Sequence, residues 1–94
     1  MKVTVLYHPL SDHASAVDVF LHDITKRYNS EVELMSVDTR PGAELARVYG
    51  VTSYPAVLAT DEEGKLHNLW QGENLPLIND IAYYLQSSFS SHNL

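Results

Sequence analysis

Tyr49-Gly50-Val51-Thr52-Ser53-Tyr54-Pro55-Ala56-Val57-Leu58 runs through Ala59 and Thr60 into Asp61-Glu62-Glu63-Gly64-Lys65. The segment contains a helix end, a short loop, a proline at the mouth of a strand and a turn. Gly50 follows a run of helical period from Glu44 to Tyr49 and can take the left-handed conformation that closes a helix. Ala56 to Thr60 is short and largely apolar, the length of a buried strand. The five residues from Asp61 to Lys65 then separate it from a second extended run, Leu66 to Trp70, predicting a hairpin with a loop longer than the tight two-residue kind.

Upstream, Val3 to Tyr7 mixes β-branched and aromatic residues and predicts a central strand that Pro9 ends. From Asp12 to Tyr28, Ala14, Val17, Leu21, Ile24 and Tyr28 recur at spacings of three and four with Phe20 beside them. One face of a long helix therefore packs on the sheet. Asn29-Ser30 breaks that helix, and Val32, Leu34 and Ser36 alternate with Glu31, Glu33 and Met35 as a second, parallel strand. Asp38-Thr39 is positioned to cap a short helix with Pro41 in its first turn and Leu45, Val48 and Tyr49 on its apolar side. Downstream, Gly72 ends the hairpin and Asn74-Leu75-Pro76 begins a last helix with Leu77, Ile78, Ile81, Tyr84 and Leu85 inward. The Ser-rich end is expected to fray, leaving one domain over residues 1–86 and a tail over 87–94.

Composition narrows the functional classes. Ninety-four residues make one domain, which at this size buries roughly 60 to 65% of its unfolded surface. Six basic against twelve acidic residues give a net charge of -6. An acidic surface repels phosphate backbones, so nucleic acid is not expected as a partner. His8, Pro9 and Asp12 interrupt the apolar run that starts at Val3 before it reaches the length of a secretory core or a membrane span, so a cytoplasmic chain without membrane contact is expected. The absence of cysteine removes disulfides, thiolate metal ligands and thiol nucleophiles together. His8 and His13, with Asp12 between them, lack a located fourth ligand and match no zinc motif, so no metal is expected.

The order βαβ followed by αββα is an α/β arrangement: a four-stranded mixed sheet with helices on both faces. Asp38-Thr39-Arg40-Pro41-Gly42-Ala43, Tyr49-Gly50-Val51 and Tyr54-Pro55 at this spacing resemble the thioredoxin-like superfamily, whose minimal fold covers nearly all of the chain. The resemblance implies a working site where the first strand meets the first helix. There a Cys-X-X-Cys pair uses unpaired N–H groups and the positive end of the helix dipole to lower a thiol's pKa. Aligning Pro9 with the proline that precedes the pair in glutaredoxin-like members puts Ser11 and Ala14 at the cysteine positions. Counting from Tyr7 gives Asp12 and Ser15. The first register is preferred because Ala14 continues the buried line through Val17, Leu21 and Ile24. The superfamily also places a cis proline, here Pro55, beside that turn, exposing the backbone of Tyr54 to an extended peptide or to glutathione, with Gly72 flanking the same surface.

The resemblance thus assigns a binding groove to His8, Pro9, Ser11, Asp12, His13, Ala14, Tyr54, Pro55 and Gly72. Its first implication is a redox-inactive module that binds a protein or peptide, with no cofactor and no catalytic residue. A second is a glutathione-binding protein or transferase-like enzyme in which the hydroxyl of Ser11 or Tyr7 replaces the thiol. A third is a subunit whose fold serves oligomer assembly. Ser11 also has a purely structural reading as a helix N-cap. His13, at a helix N-terminus, is expected to titrate low. Tyr28, Tyr49 and Tyr84 fall on buried faces, while Tyr7, Tyr54 and Trp70 are candidates for an aromatic patch near the groove.

Overall fold

A computed structural model describes residues 1–28, 32–72 and 75–90, with side chains up to Leu85 in the last helix. The elements follow in the order β1 (Lys2–Tyr7), α1 (Ala14–Tyr28), β2 (Glu33–Ser36), α2 (Arg40–Tyr49), β3 (Ala56–Thr60), β4 (Leu66–Gln71) and α3 (Ile78–Ser90). The strands form one mixed sheet in the order β2-β1-β3-β4. β1 runs parallel to β2, with Val5 beside Leu34, and antiparallel to β3, with Val5 beside Val57. β3 and β4 pair antiparallel, with a register shift between Ala59 and Thr60.

The two central strands are apolar on both faces because both faces are covered. Val3, Val5 and Val57 meet Val17, Phe20 and Ile24 of α1 and Ile81 and Leu85 of α3 on one side. Leu6, Ala56 and Leu58 meet Ala46 of α2 and Val51 on the other. Edge strand β2 is more open, and there the expected alternation fails. Leu34 is exposed, whereas Met35 packs with the α2-side cluster.

Helix α2 is built as its sequence dictates. Thr39 is the N-cap, its hydroxyl accepting from the Gly42 N–H at 3.3 Å, and Gly50 closes the helix at φ 69°. The buried line, however, is Gly42 and Ala46, with Leu45 and Tyr49 half-buried, and Val48 points outward. The reason is proximity. A Cβ on Gly42 would lie 1.9 Å from the Ser36 carbonyl oxygen, so α2 approaches the end of β2 as only a helix with a glycine there can. The Tyr49 hydroxyl donates to the Gly64 carbonyl and ties the end of α2 to the hairpin. The hairpin loop is organised by Asp61, whose Oδ1 accepts from the N–H groups of Glu63 and Lys65, each at 2.9 Å.

Two boundaries differ from expectation. Helix α1 begins at Ala14 rather than Asp12, and α3, which runs to Ser90, begins at Ile78 rather than within the expected 74–76. Leu77 consequently lies before α3 and is exposed. The expected chain break at Asn29-Ser30, Glu31 in β2, the helix start at Asn74 and residues 91–94 of the tail lie outside the described residues. Among the described residues no helix is long and apolar enough to cross a membrane.

Candidate functional site

β1 ends at Tyr7, and the chain turns sharply before α1. The turn is closed by the Ser11 N–H donating to the His8 carbonyl at 3.1 Å and by the Ser11 hydroxyl donating to the same carbonyl at 2.6 Å. Ser11 is therefore not the N-cap. His13 stands at that position, its carbonyl accepting the Val17 N–H at 3.1 Å. The His13 ring folds back so that Nε2 accepts the His8 N–H at 3.1 Å. An accepting ring nitrogen carries no proton, so this bond belongs to neutral imidazole.

Three aromatic rings gather with His8 where the parallel strand ends meet. The His8 ring stands edge-on to Tyr54 with centroids 4.9 Å apart and lies 6.2 Å from His13, which in turn is 6.5 Å from Tyr7. His8 Nδ1 is 3.3 Å from Asp38 Oδ1, a well-exposed pair, and such pairs contribute little to stability. His13 titrates below the ordinary imidazole value. Burial of its ring is the main cause and the nearby His8 charge the second, while Asp12 pulls the other way. The direction is the expected one, though its leading cause is burial rather than the helix end.

The opposite wall comes from the loop between α2 and β3. The Tyr54–Pro55 peptide is cis. Gln71 Oε1 accepts from the Thr52 N–H at 2.9 Å and the Ser53 N–H at 3.2 Å, and the Gly72 N–H donates to the Pro55 carbonyl at 3.1 Å. Thr52, Ser53 and Pro55 are thus tied to the end of β4. Tyr54, between them, makes no backbone hydrogen bond to the described residues. Its N–H and carbonyl are left without a backbone partner among the described residues.

Of the sequence-derived residues, His8, Ser11, His13 and Tyr54 come together, Ala14 starts the helix behind them, and Gly72 joins through Pro55. Pro9 is half-buried, and Asp12 is exposed beside the group. Trp70 does not join it; its ring packs edge-on to Tyr84 of α3, with centroids 5.6 Å apart. Three contributors escaped the sequence reading. Asp38 was legible only as a cap, yet parallel pairing of Tyr7 with Ser36 brings the residues just beyond the two strands together. Gln71 is placed by its register opposite Ala56. Leu10, 98% exposed at the tip of the turn, has no periodic signal. The site can hydrogen-bond and stack. It holds no thiol, and the Ser11 proton is already committed to a carbonyl. Among the described residues no three His, Asp or Glu side chains cluster as a metal site would.

No protein-family model matches the chain, and no curated protein matches it. Solved structures do. Thioredoxin 1 of the thermophilic eubacterium Thermosipho africanus aligns over 100% of both chains with a TM-score of 0.67 at 16% identity. Oxidised thioredoxin of Plasmodium falciparum aligns over 92% of this chain and 78% of its own with a TM-score of 0.62 at 15% identity. An exposed lipoprotein thioredoxin of Streptococcus pneumoniae aligns over 92% and 84% with a TM-score of 0.63 at 18% identity. At these identities the likeness is one of fold. The chain has a thioredoxin-like fold and no cysteine.

Proposed function

We propose that the chain is a redox-inactive binding module that takes an extended polypeptide into the groove between the His8–His13 turn and Tyr54–Pro55. The observation that carries this reading is the backbone of Tyr54 without a hydrogen-bond partner among the described residues, beneath the ring of His8, whose own turn carries a fully exposed Leu10. A peptide strand would pair with that backbone and place an apolar side chain against Leu10, combining main-chain affinity with side-chain selectivity. Dithiol exchange requires a thiolate at both sulfurs in turn, and the chain supplies neither.

The test is selection of peptides from a displayed random library on the folded protein, followed by amide NMR titration with the best binder and, separately, with reduced glutathione. The reading expects shifts at His8, Ser11, His13, Tyr54 and Gly72 with the peptide, and at least about tenfold weaker binding for both Leu10→Asp and Tyr54→Ala. Shifts at those amides with glutathione alone would replace the peptide reading by the thiol-ligand one. No shift with either, together with self-association in light scattering, would favour an assembly role.

A further inference from the structure

At the far end of the sheet from this groove, alternate residues of three neighbouring strands share one face. β1 contributes Lys2 and Thr4, β2 Glu33 and Met35, and β3 Leu58 and Thr60, in a register that pairs Thr4 with both Glu33 and Leu58, and Lys2 with Thr60. Helix α2 crosses above them and presents every fourth residue, Pro41, Leu45 and Tyr49. Between floor and roof lies a partly open cavity of about 320 Å³. That lies at the small end of ligand pockets, roughly 300 to 1,000 Å³.

The polar groups in it are few and placed. Thr4 and Thr60 are 4% and 8% exposed, and neither side chain has a hydrogen-bond partner among the described residues. Among the described residues every side-chain polar atom sealed from the surface has a partner, so these two hydroxyls open into the cavity they line. Each can both donate and accept. The rest of the lining is apolar or already engaged. Leu45 and Leu58 offer only hydrocarbon surface, Met35 adds no more than a weakly accepting thioether sulfur, and the Tyr49 hydroxyl is spent on Gly64. Lys2 and Glu33 pair with each other at 3.4 Å, so the mouth carries no net charge to attract an ion.

We propose that this cavity binds a small neutral molecule, about the size of one substituted ring, whose single hydroxyl or carbonyl group meets Thr4 and Thr60 on the sheet. Size and chemistry agree. A cavity of about 150 Å³ suffices for benzene, and two hydroxyls that open into this larger one with no partner among the described residues can each donate to or accept from a ligand's polar group. The site is independent of the peptide groove, which lies at the opposite ends of β1 and β3.

The test is a methyl-resolved NMR titration of the full chain with para-cresol, toluene and benzoate as probes. Para-cresol is expected to shift the methyl signals of Met35, Leu45 and Leu58, leave the backbone amide signals of His8 and Tyr54, followed in parallel, unmoved, and bind more tightly than benzoate. The double variant Thr4→Val/Thr60→Val is expected to bind para-cresol at least about fivefold more weakly with toluene unaffected. Thr4→Ser/Thr60→Ser should retain para-cresol, and Leu45→Trp, which fills the space from the roof, should abolish both. Unmoved methyls, equal para-cresol affinity in the Val variant, undiminished binding in Leu45→Trp or preferential binding of benzoate would each overturn the proposal.

Discussion

One face of the sheet lies under two helices, and the other lies under a single helix of ten residues. Beneath α1 and α3, Val5, Val57, Val17, Ile24 and Ile81 are all fully buried. Beneath α2 the middle of the sheet is equally dry at Leu6 and Leu58, but one end opens into the cavity above Thr4 and Thr60, and at the other Tyr54 emerges under His8. The fold thus concentrates its buried apolar area under α1 and α3 and leaves surface to spare under α2. Apolar area removed from water stabilises in proportion to its extent, so the doubly covered face should dominate folding, and the singly covered one should tolerate change.

A matched pair of truncations separates the two faces. Ile24→Ala leaves a void in a region walled by packed side chains and is expected to cost about 4 kcal/mol, whereas Leu58→Ala merely enlarges an existing cavity and is expected to cost about 2 to 3 kcal/mol. Urea unfolding of both variants measures the difference. Equal losses, or a larger one at Leu58, would show that the α2 face is as rigid as its counterpart.

How closely α2 is seated decides how open its face can be. Gly42→Ala places a methyl 1.9 Å from a backbone oxygen, a clash relieved only by moving the helix or the end of β2. A loss of about 3 kcal/mol is expected, read by thermal melting together with amide shifts along α2. A loss below about 1 kcal/mol would mean that the helix floats on this face and that the cavity has no fixed roof.

The elements most legible from sequence were those whose pattern repeats within one segment. The spacing of Val17, Ile24 and Tyr28 defined α1, and Asp38-Thr39, Pro41 and Gly50 bracketed α2, with the structure choosing Thr39 of the two cap residues, because caps and periodicity act over a single turn. Val48 was misread for a physical reason: it is the larger hydrophobe, but close approach at Gly42 gives the contact line to glycine and Ala46. Ser11 was misread as a cap because its residue type suits that role, and only the folded turn shows its hydroxyl donating to His8 instead. The groove residues came from the resemblance of the chain to a known fold rather than from any local pattern. The Thr4 and Thr60 cavity could not be read at all. It depends on the register of three strands brought together from distant parts of the chain, and no single segment carries that information.

Smaller substitutions sharpen the same contrast. Thr39→Ala removes both the cap bond to Gly42 and the 2.7 Å bond to the Ser36 carbonyl and is expected to cost about 1 kcal/mol in urea unfolding. Thr4→Val replaces a hydroxyl that opens into the cavity, with no partner among the described residues, by a methyl group of similar volume and is expected to change stability by less than about 0.5 kcal/mol in the absence of ligand. A destabilisation of about 1 kcal/mol or more there would reveal a bond that the hydroxyl makes in solution.

The smallest expected effect tests the groove end of the face and depends on proton bookkeeping. His13 titrates below the ordinary imidazole value in the folded chain, through burial first and the His8 charge second. The unfolded chain keeps the ordinary value, so between the two the unfolded state binds more protons than the folded one. Stability then rises with pH through that window. On acidification the loss begins as pH falls through the ordinary imidazole value and stops below the folded value of His13. His13→Gln, which keeps an acceptor for the His8 N–H but cannot titrate, should flatten the slope of stability against pH in that window while leaving the other four histidines in place. NMR titration of the His13 ring should give a midpoint below that of the same residue in urea. A midpoint at or above the unfolded one would mean that the ring leaves its bond to the His8 N–H in solution, and that this wall of the groove is not preformed.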